Sequence, residues 1–152
     1  MQKSAMRTVT GLAGHRASDE VDELERTLGM ARGSMKSESG RAGSVMLEMT
    51  YEAITEVFTA FGKAGQSSEL LTAEAAKQAK RYMESSAAVC EFLGDQLLLP
   101  LALAGSGRFT TTRVSSHARA NMDTIRAFLG VEFWTERVGD EAWLVEVKRT
   151  PV

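Results

Sequence analysis

Two polar residues inside an apolar stretch are the first candidates for chemistry. Asp95 and Gln96 lie in the segment Phe92-Leu-Gly-Asp-Gln-Leu-Leu-Leu-Pro. Burying a carboxylate and an amide among leucines is costly unless each has a partner. Periodicity alone favours an exposed helical face, because positions 95 and 96 can both point away from Leu93 and Leu97. The functional alternative is a site for a metal ion or a nucleotide phosphate, since carboxylates are the usual ligands of Mg²⁺.

The next candidate is His117, which follows Val114-Ser115-Ser116 at a predicted junction between a strand and a helix. One interpretation is helix capping, which Ser116 alone could provide. The other is catalytic, because a helix N-terminus offers N–H groups to a phosphate and a neutral imidazole there can attack phosphorus. Arginines on surfaces are usually only solvated, but four nearby ones are candidates for binding polyphosphate: Arg108, Arg113, Arg119 and Arg126.

Three other features are weaker candidates for a functional site. The turn Gly105-Ser-Gly107 lacks the Gly-Lys-Ser/Thr ending of a phosphate loop. His15 has no companion at a ligand spacing, so we expect it to be an exposed loop residue. Trp134 and Trp143 lie on opposite arms of a predicted hairpin, which favours a cross-strand or core pair over a platform for stacking bases.

The elements that must position these residues begin with a polar N-terminal region. We predict a short strand around Met6–Thr10 and a helix from Ser18 to about Leu28, where Gly29 follows. The Gly- and Ser-rich residues 31–44 predict a loop. Alternating apolar residues then predict two antiparallel strands, over residues 45–49 and 54–61.

The rest of the chain alternates helices with strands. Ser85-Ser86 is expected to end one helix and cap the next. The predicted fold class is α+β, with βαβ-type units and paired helices packed on a mixed or antiparallel sheet that ends in a β-hairpin. The predicted elements are helices over 69–84, about 87–103 and 118–129, a strand from Phe109, and hairpin arms 131–138 and 142–148 around Gly139-Asp140.

The composition of the chain limits the classes of protein to which it can belong. The chain has 152 residues, of which 18 are basic and 20 acidic, for a net charge of −2. This balance argues against nonspecific nucleic-acid binding through bulk charge, but it does not exclude a local site built from a few arginines. Cys90 is the only cysteine, which excludes an intramolecular disulfide and disfavours a cysteine-based zinc cluster. The longest apolar run, residues 97–105, contains Pro100 and is too short to span a membrane. We expect a soluble, cytoplasmic protein with no membrane partner.

The segment from Gly94 to Thr110 resembles the signature of RNA 3'-terminal phosphate cyclases. Ser115-Ser116-His117 and Asn121 follow at the spacing found in that family. The resemblance extends from about residue 43 to 133. By this resemblance, residues 1–84 are the remainder of the family's inserted domain, and residues 85–152 are the C-terminal part of its catalytic domain.

The resemblance implies an ATP-dependent reaction in three steps. A histidine attacks the α-phosphate of ATP and becomes adenylylated, AMP passes to the RNA 3'-phosphate, and the vicinal 2'-OH displaces AMP to leave a 2',3'-cyclic phosphate. His117 matches the nucleophile. Asp95 matches the acid associated with Mg²⁺ or Mn²⁺ and the nucleotide phosphates, and Gln96 its neighbour at the nucleotide.

Two departures from the family pattern qualify this expectation. Val114 stands where the family usually has proline. The family's chains are also much longer, so we expect this chain to be a C-terminal half that needs an N-terminal half as a partner chain, or that forms a homo-oligomer. One alternative is a non-catalytic RNA-processing or ribosome-assembly relative. Such relatives lack the nucleophilic histidine, so the presence of His117 argues against this alternative. The other alternative is an inactive interaction module.

Overall fold

A computed structural model of the chain divides it into two compact units, residues 1–80 and 81–152. The predicted helix from Ser18 to Leu28 lies outside the described part. The assignment of residues 1–84 to an inserted domain and 85–152 to a catalytic domain stays a prediction. The structure describes residues 8–9, 34–35, 44–51, 53–62 and 68–150.

The first unit contains a short parallel ladder. Strand β1, Thr8–Val9, pairs with β2, Ser34–Met35. The strand predicted around Met6–Thr10 is thus present at its centre. The prediction of a loop over the whole of residues 31–44 is wrong at Ser34 and Met35, because pairing with a distant strand extends the backbone there.

An antiparallel hairpin follows in the same unit. Strand β3, Ser44–Thr50, pairs with β4, Thr55–Phe61, in a register that places Thr50 opposite Thr55. Alternate side chains are buried, as expected for a sheet with one covered face. The two predicted strands are confirmed. The buried apolar residues are Leu47 and Met49 on β3 and Phe58 and Ala60 on β4.

Helix α1 spans Ser68–Glu84 and confirms the predicted helix over residues 69–84. Its buried residues Leu71, Ala75 and Ala79 recur every four positions, so one stripe of the helix is apolar. The hydroxyl of Ser85 donates a hydrogen bond of 2.7 Å to the carbonyl of Tyr82, which ends the helix.

Helix α2 spans Glu91–Ala104, so the predicted start near Ala87 is wrong. Residues 87–90 are drawn out of the helix by bonds to the neighbouring strand. The N–H of Val89 donates to the carbonyl of Thr110 at 3.0 Å, and the N–H of Thr112 donates to the carbonyl of Val89 at 3.2 Å. Cys90 caps the helix instead of Ser86, accepting from the N–H of Leu93 on its sulfur.

The second unit has a three-stranded antiparallel sheet of order β5-β7-β6. Both outer strands run antiparallel to β7, so β5 and β6 are parallel to each other. Helix α3, Ser116–Phe128, connects β5 to β6, giving a βαβ unit with β7 inserted at its centre. The α+β class with a terminal hairpin is confirmed. The strands are β5, Ser106–Thr111, β6, Val131–Gly139, and β7, Ala142–Arg149.

Helices α2 and α3 cover one face of this sheet. Gly94 permits a close approach, since a Cβ there would lie 2.7 Å from the hydroxyl oxygen of Thr111 on β5. No helix in the described ranges is both long and apolar enough to cross a membrane. The buried core comprises Leu98 and Ala102 of α2, Val114, Ala118, Met122 and Ile125 in or next to α3, Val131 and Phe133 of β6, and Val145 and Val147 of β7.

The terminal hairpin turns at Asp140-Glu141, one residue later than predicted, and Glu141 has a φ of 49°. The predicted pairing of Trp134 with Trp143 is wrong. Trp134 lies opposite Glu146 and is half-exposed, whereas Trp143 packs against the core on the other face of the sheet. Side chains alternate between faces along a strand, and the hairpin register gives each tryptophan a different partner.

Candidate active site

The structure brings Asp95, His117 and Asn121 together across the two helices of the second unit. His117 Nδ1 lies 2.6 Å from Asp95 Oδ2. Asn121 Nδ2 donates a hydrogen bond of 3.1 Å to Asp95 Oδ1. His117 and Asn121 are four residues apart on α3, so both side chains lie on the face that meets α2. One carboxylate therefore joins a histidine and an amide from successive turns of the opposite helix.

Local capping sets the position of His117. Ser115, not Ser116, is the N-cap of α3, and its hydroxyl accepts a hydrogen bond of 3.0 Å from the N–H of Ala118. The expectation that Ser116 caps the helix is thus wrong by one residue. His117 consequently lies in the first turn, and its side chain is 81% exposed. Its ring reaches solvent while one edge contacts Asp95.

The contact with Asp95 defines which ring nitrogen of His117 is available. An ionised carboxylate only accepts hydrogen bonds, so the contact with Asp95 favours the tautomer that carries its proton on Nδ1. In the neutral imidazole, Nε2 then holds a lone pair. The Asp95 side chain is 20% exposed, so the carboxylate itself is partly shielded from water. The arrangement leaves a nitrogen with an available lone pair on the exposed side of the ring.

A second charged pair lies one turn earlier on α2. Glu91 Oε2 accepts from Arg113 at 2.7 Å from Nε and 2.5 Å from Nη2. Glu91 and Asp95 are four residues apart and therefore share a face of α2. Arg113 precedes α3, so this ion pair fastens the loop before α3 to the start of α2.

These residues line a cleft of about 430 Å³. Asp95 is mostly buried and partnered, so the interpretation of Asp95 as one side of an exposed polar face is wrong. That interpretation holds for Gln96, which is exposed at the cleft. The lining residues are Glu91, Phe92, Asp95, Gln96, Arg113, Ser115, Ser116 and His117.

Of the four arginines predicted to supply charge, only Arg113 lines the cleft. Arg108 lies on β5 between Gly107 and Phe109, which contact the helices, so its side chain projects from the opposite face. Arg119 lies over the ring of Trp143, 5.8 Å from its centroid. The prediction of an arginine cluster is therefore wrong. Arg126 forms ion pairs with Asp123 and Glu132.

The described residues contain no group of three or more histidine, cysteine, aspartate or glutamate side chains that could hold a metal ion. Mg²⁺ commonly uses only one or two carboxylates together with substrate phosphates. Each Asp95 oxygen has one hydrogen-bond partner and therefore retains capacity for another contact. The donor chemistry at Asp95 fits a metal that arrives with a nucleotide, and its role as a ligand stays a prediction.

Sequence reasoning gave no role to Glu91 and none to Asn121. Spacing supplies the missing signal in both cases. Glu91 lies four residues before Asp95, and Asn121 lies four residues after His117. Two polar residues at this spacing share a helical face, and a matching pair on the facing helix can pair with them.

Comparison with known proteins assigns the chain to a family. The family model described as RNA 3'-terminal phosphate cyclase matches residues 23–135. This match covers most of the chain and includes Asp95, His117 and Asn121. The chain belongs to the RNA 3'-terminal phosphate cyclase family.

Three curated relatives, each named RNA 3'-terminal phosphate cyclase, illustrate the similarity. The protein of Koribacter versatilis is 44% identical over 138 residues, which cover 88% of this chain and 39% of the relative. That of Pseudomonas aeruginosa is 37% identical over 147 residues, covering 93% and 42%. That of Salmonella typhimurium is 37% identical over 150 residues, covering 97% and 44%. The chain thus spans about two fifths of the length of these relatives.

Proposed function

We propose that this chain carries the nucleophile for ATP-dependent conversion of an RNA 3'-terminal phosphate to a 2',3'-cyclic phosphate. The observation that supports the proposal most directly is the contact between His117 Nδ1 and Asp95 Oδ2, 2.6 Å long, with the ring 81% exposed. A histidine held at Nδ1 can attack only through Nε2. Membership of the RNA 3'-terminal phosphate cyclase family supports the assignment of this proposed nucleophile to that reaction.

In the first step of the proposed reaction, the Nε2 lone pair of His117 attacks the α-phosphorus of ATP. A P–N bond forms, the bond to the bridging oxygen of the β-phosphate breaks, and pyrophosphate leaves. Positive charge develops on the ring as the lone pair is used. Asp95, hydrogen-bonded at Nδ1, stabilises that charge and keeps the ring oriented, which is the role of the acid in other histidine-based nucleophilic sites.

In the later steps the adenylyl group leaves His117. An oxygen of the RNA 3'-phosphate attacks the phosphorus, the P–N bond breaks, and AMP is joined to the RNA end. The adjacent 2'-OH then attacks the RNA phosphorus, loses its proton, and displaces AMP to close the cyclic phosphate. His117 is regenerated with Nε2 free for another cycle. A bound Mg²⁺ or Mn²⁺ would offset the charge of the ATP phosphates, with Asp95 as its candidate ligand and Gln96 beside the nucleotide.

The charges lining the cleft suggest that a bound triphosphate needs additional basic residues from outside the cleft. Glu91 and Asp95 carry two negative charges, and Arg113 carries one positive charge that Glu91 already engages. A triphosphate binds poorly where the fixed charge is negative. Within the proposed reaction, basic residues that complete the nucleotide site are therefore expected from the part of the cyclase that the matched relatives have beyond the aligned segment.

We further propose that this additional part docks on the exposed apolar stripe of α2. Phe92, Leu99 and Leu103 are 47%, 48% and 62% exposed and lie along one side of the helix. Exposed apolar rows of this kind mark contact surfaces. The proposed occupant is the N-terminal half of a cyclase, supplied as a partner chain. The cytoplasm is the proposed compartment, because RNA ends and ATP meet there.

The adenylylation test uses the purified chain, α-labelled ATP and Mg²⁺ or Mn²⁺, with and without the N-terminal half of the Koribacter versatilis relative. The expected product is a labelled, acid-labile and base-stable adduct that His117→Ala abolishes. His15→Ala is the matched control, since His15 is the only other histidine. An adduct that survives in His117→Ala, or no adduct even with the added half, rejects the enzymatic proposal in favour of a non-catalytic relative or an inactive module.

The docking test measures molecular mass in solution for mixtures of the chain with the same N-terminal half. Leu99→Glu is expected to abolish a one-to-one complex, whereas Leu70→Glu, an exposed leucine on α1, retains it. Self-association that Leu99→Glu abolishes would instead indicate that the stripe joins two copies of this chain. A chain that stays monomeric and binds no added half contradicts the proposed docking.

A further inference from the structure

We infer that Asn121 is a positioning residue that fixes the Asp95 carboxylate and thereby selects the tautomer of His117. This inference rests on the proposed function, because its consequence for the reaction depends on attack by His117 Nε2. The observation that carries it is the hydrogen bond of 3.1 Å from Asn121 Nδ2 to Asp95 Oδ1, on the oxygen that His117 does not use.

The geometry gives Asp95 two attachment points. His117 Nδ1 holds Oδ2, and Asn121 Nδ2 holds Oδ1, so rotation of the carboxylate about its Cβ–Cγ bond would break both contacts. A carboxylate with only one attachment turns more freely, since this terminal torsion is broad. Asn121 therefore removes a rotational freedom that Asp95 would otherwise have beside a ring that is 81% exposed.

Helix spacing makes the second attachment independent of the first. Asn121 is part-buried one turn after His117 on α3, while Asp95 lies on α2, so the bond spans 26 positions of the sequence. The partly buried amide is held by the packing of α3, in which the adjacent residue Met122 and, one turn further on, Ile125 are buried in the core. The exposed imidazole has no comparable packing. Through its hydrogen bond, the well-packed Asn121 thus restricts the motion of the Asp95 carboxylate, and the carboxylate in turn restricts the motion of the His117 ring.

The consequence for chemistry lies in the tautomer. A free neutral histidine distributes its proton between Nδ1 and Nε2, and protonation at Nε2 removes the lone pair that attacks phosphorus. A fixed acceptor at Nδ1 favours the tautomer whose Nε2 is free. Loss of the Asn121 contact is expected to lower the fraction of reactive tautomer and to slow adenylylation about 10-fold, the size of effect expected for one hydrogen bond to a charged group.

The test reads the tautomer directly by ¹⁵N NMR of the labelled full chain in mildly alkaline buffer, where free imidazole is neutral. The two histidines, His15 and His117, are assigned from the His15→Ala spectrum. In the unmodified chain, His117 is expected to show a protonated Nδ1 and an unprotonated Nε2. Asn121→Ala and Asn121→Leu are both expected to move His117 toward a mixture of tautomers. Leucine keeps the branched shape of asparagine at Cγ, so it separates the amide donor from simple packing.

The matched control is Thr124→Ala, one turn further along α3, where the side chain is exposed and bonds only to the carbonyl of Ala120. It should leave the His117 signals unchanged. Unchanged His117 signals in both Asn121 variants, or an unmodified chain without a protonated Nδ1, overturn the inference. Should both variants fail to fold, the Asn121 amide signals of the unmodified chain are compared with those of Asp95→Asn. A shift supports the contact, and its absence overturns it.

The two proposals fail in different ways. A tautomer shift in the Asn121 variants, without any labelled adduct in the unmodified chain even when the N-terminal half is added, supports the positioning role and rejects adenylylation. A labelled adduct together with an unshifted tautomer does the reverse. Only the loss of both results rejects the proposed function and this inference together.

Discussion

The two ends of α3 each carry a cluster of polar and charged side chains, and the clusters differ in what they leave available. At the end of the helix, Arg126 engages Asp123 and Glu132, both at 2.8 Å, so its charge is balanced by its neighbours. At the beginning, Asp95 engages His117 through one ring nitrogen only. In the part of the chain that the structure describes, the second nitrogen of that ring has no partner.

The difference separates a structural cluster from the cluster that is proposed to react. In the Arg126 cluster, every charged group serves to hold α3 to itself and to β6. In the cluster around His117, only the Nδ1 side of the imidazole forms a hydrogen bond, and the other side faces solvent. The proposed reactive site is distinguished by a ring nitrogen that is oriented but has no hydrogen-bond partner among the described residues, and the number of polar contacts alone would not reveal it.

The largest effect is expected from removing the unsatisfied atom. In the adenylylation assay, His117→Ala should reduce labelled adduct below detection, because no other side chain in the cleft offers a comparable nitrogen. Arg126→Ala should label like the unmodified chain. Equal loss in both variants would mean that α3 as a whole, and not its first turn, is what the assay reports.

A smaller but substantial effect is expected from Asp95→Asn. The amide keeps the shape of the carboxylate, but it cannot stabilise the charge that develops on the His117 ring, and its NH₂ can face Nδ1 and favour the wrong tautomer. We expect the adenylylation rate to fall on the order of 100-fold. Glu132→Asn, which disrupts the other cluster, serves as the comparison and should keep a nearly full rate. An unchanged rate in Asp95→Asn would show that the contact does not assist attack.

Gly94→Ala tests the packing of α2 on β5 next to the cluster that is proposed to react. The added Cβ would lie 2.7 Å from the Thr111 hydroxyl oxygen, and 3.2 Å from a ring carbon of Phe109, so α2 must shift away from β5. Overpacking of this kind lowers the free energy of unfolding by about 1–3 kcal/mol, measurable in urea titrations. Gly130→Ala, where no atom lies within 4 Å of the added carbon, is the matched control. Similar losses in both variants would contradict the close approach as the cause.

The smallest effect is expected from breaking the balanced cluster. Arg126 is 37% exposed, so solvent screens its ion pairs, and Arg126→Ala should lower the free energy of unfolding by only about 0.2–1 kcal/mol. The loss should shrink further at high salt. Thermal melts at low and high salt measure both quantities. A loss of several kcal/mol would assign this cluster a larger structural role than its exposure permits.

The sequence predicted the parts of the fold that depend on local patterns. The hairpin β3-β4, helix α1 and the α+β class follow from periodicity, and the resemblance placed Asp95 and His117 in one site. The beginning of α2 could not be predicted, because the extended conformation at Val89 depends on hydrogen bonds to β5 more than 20 positions away.

The arginines and tryptophans show the same limit. Whether Arg108 enters the cleft depends on which face of β5 is covered by helices. The covered face cannot be predicted from the sequence of β5 alone. The pairing of Trp134 with Glu146 depends on the register of the final hairpin, which an irregularity between Arg137 and Gly139 alters. Side-chain partners across elements follow from tertiary packing, which local periodicity does not encode.

The position of β7 in its sheet has a consequence for truncation and for synthesis. β7 is the last strand along the described chain, yet it lies in the middle and bonds to both β5 and β6. A premature stop before Ala142 would remove two buried valines and leave two strands with no partner between them. During synthesis on the ribosome, β5 and β6 therefore cannot be joined in one sheet until β7 has emerged.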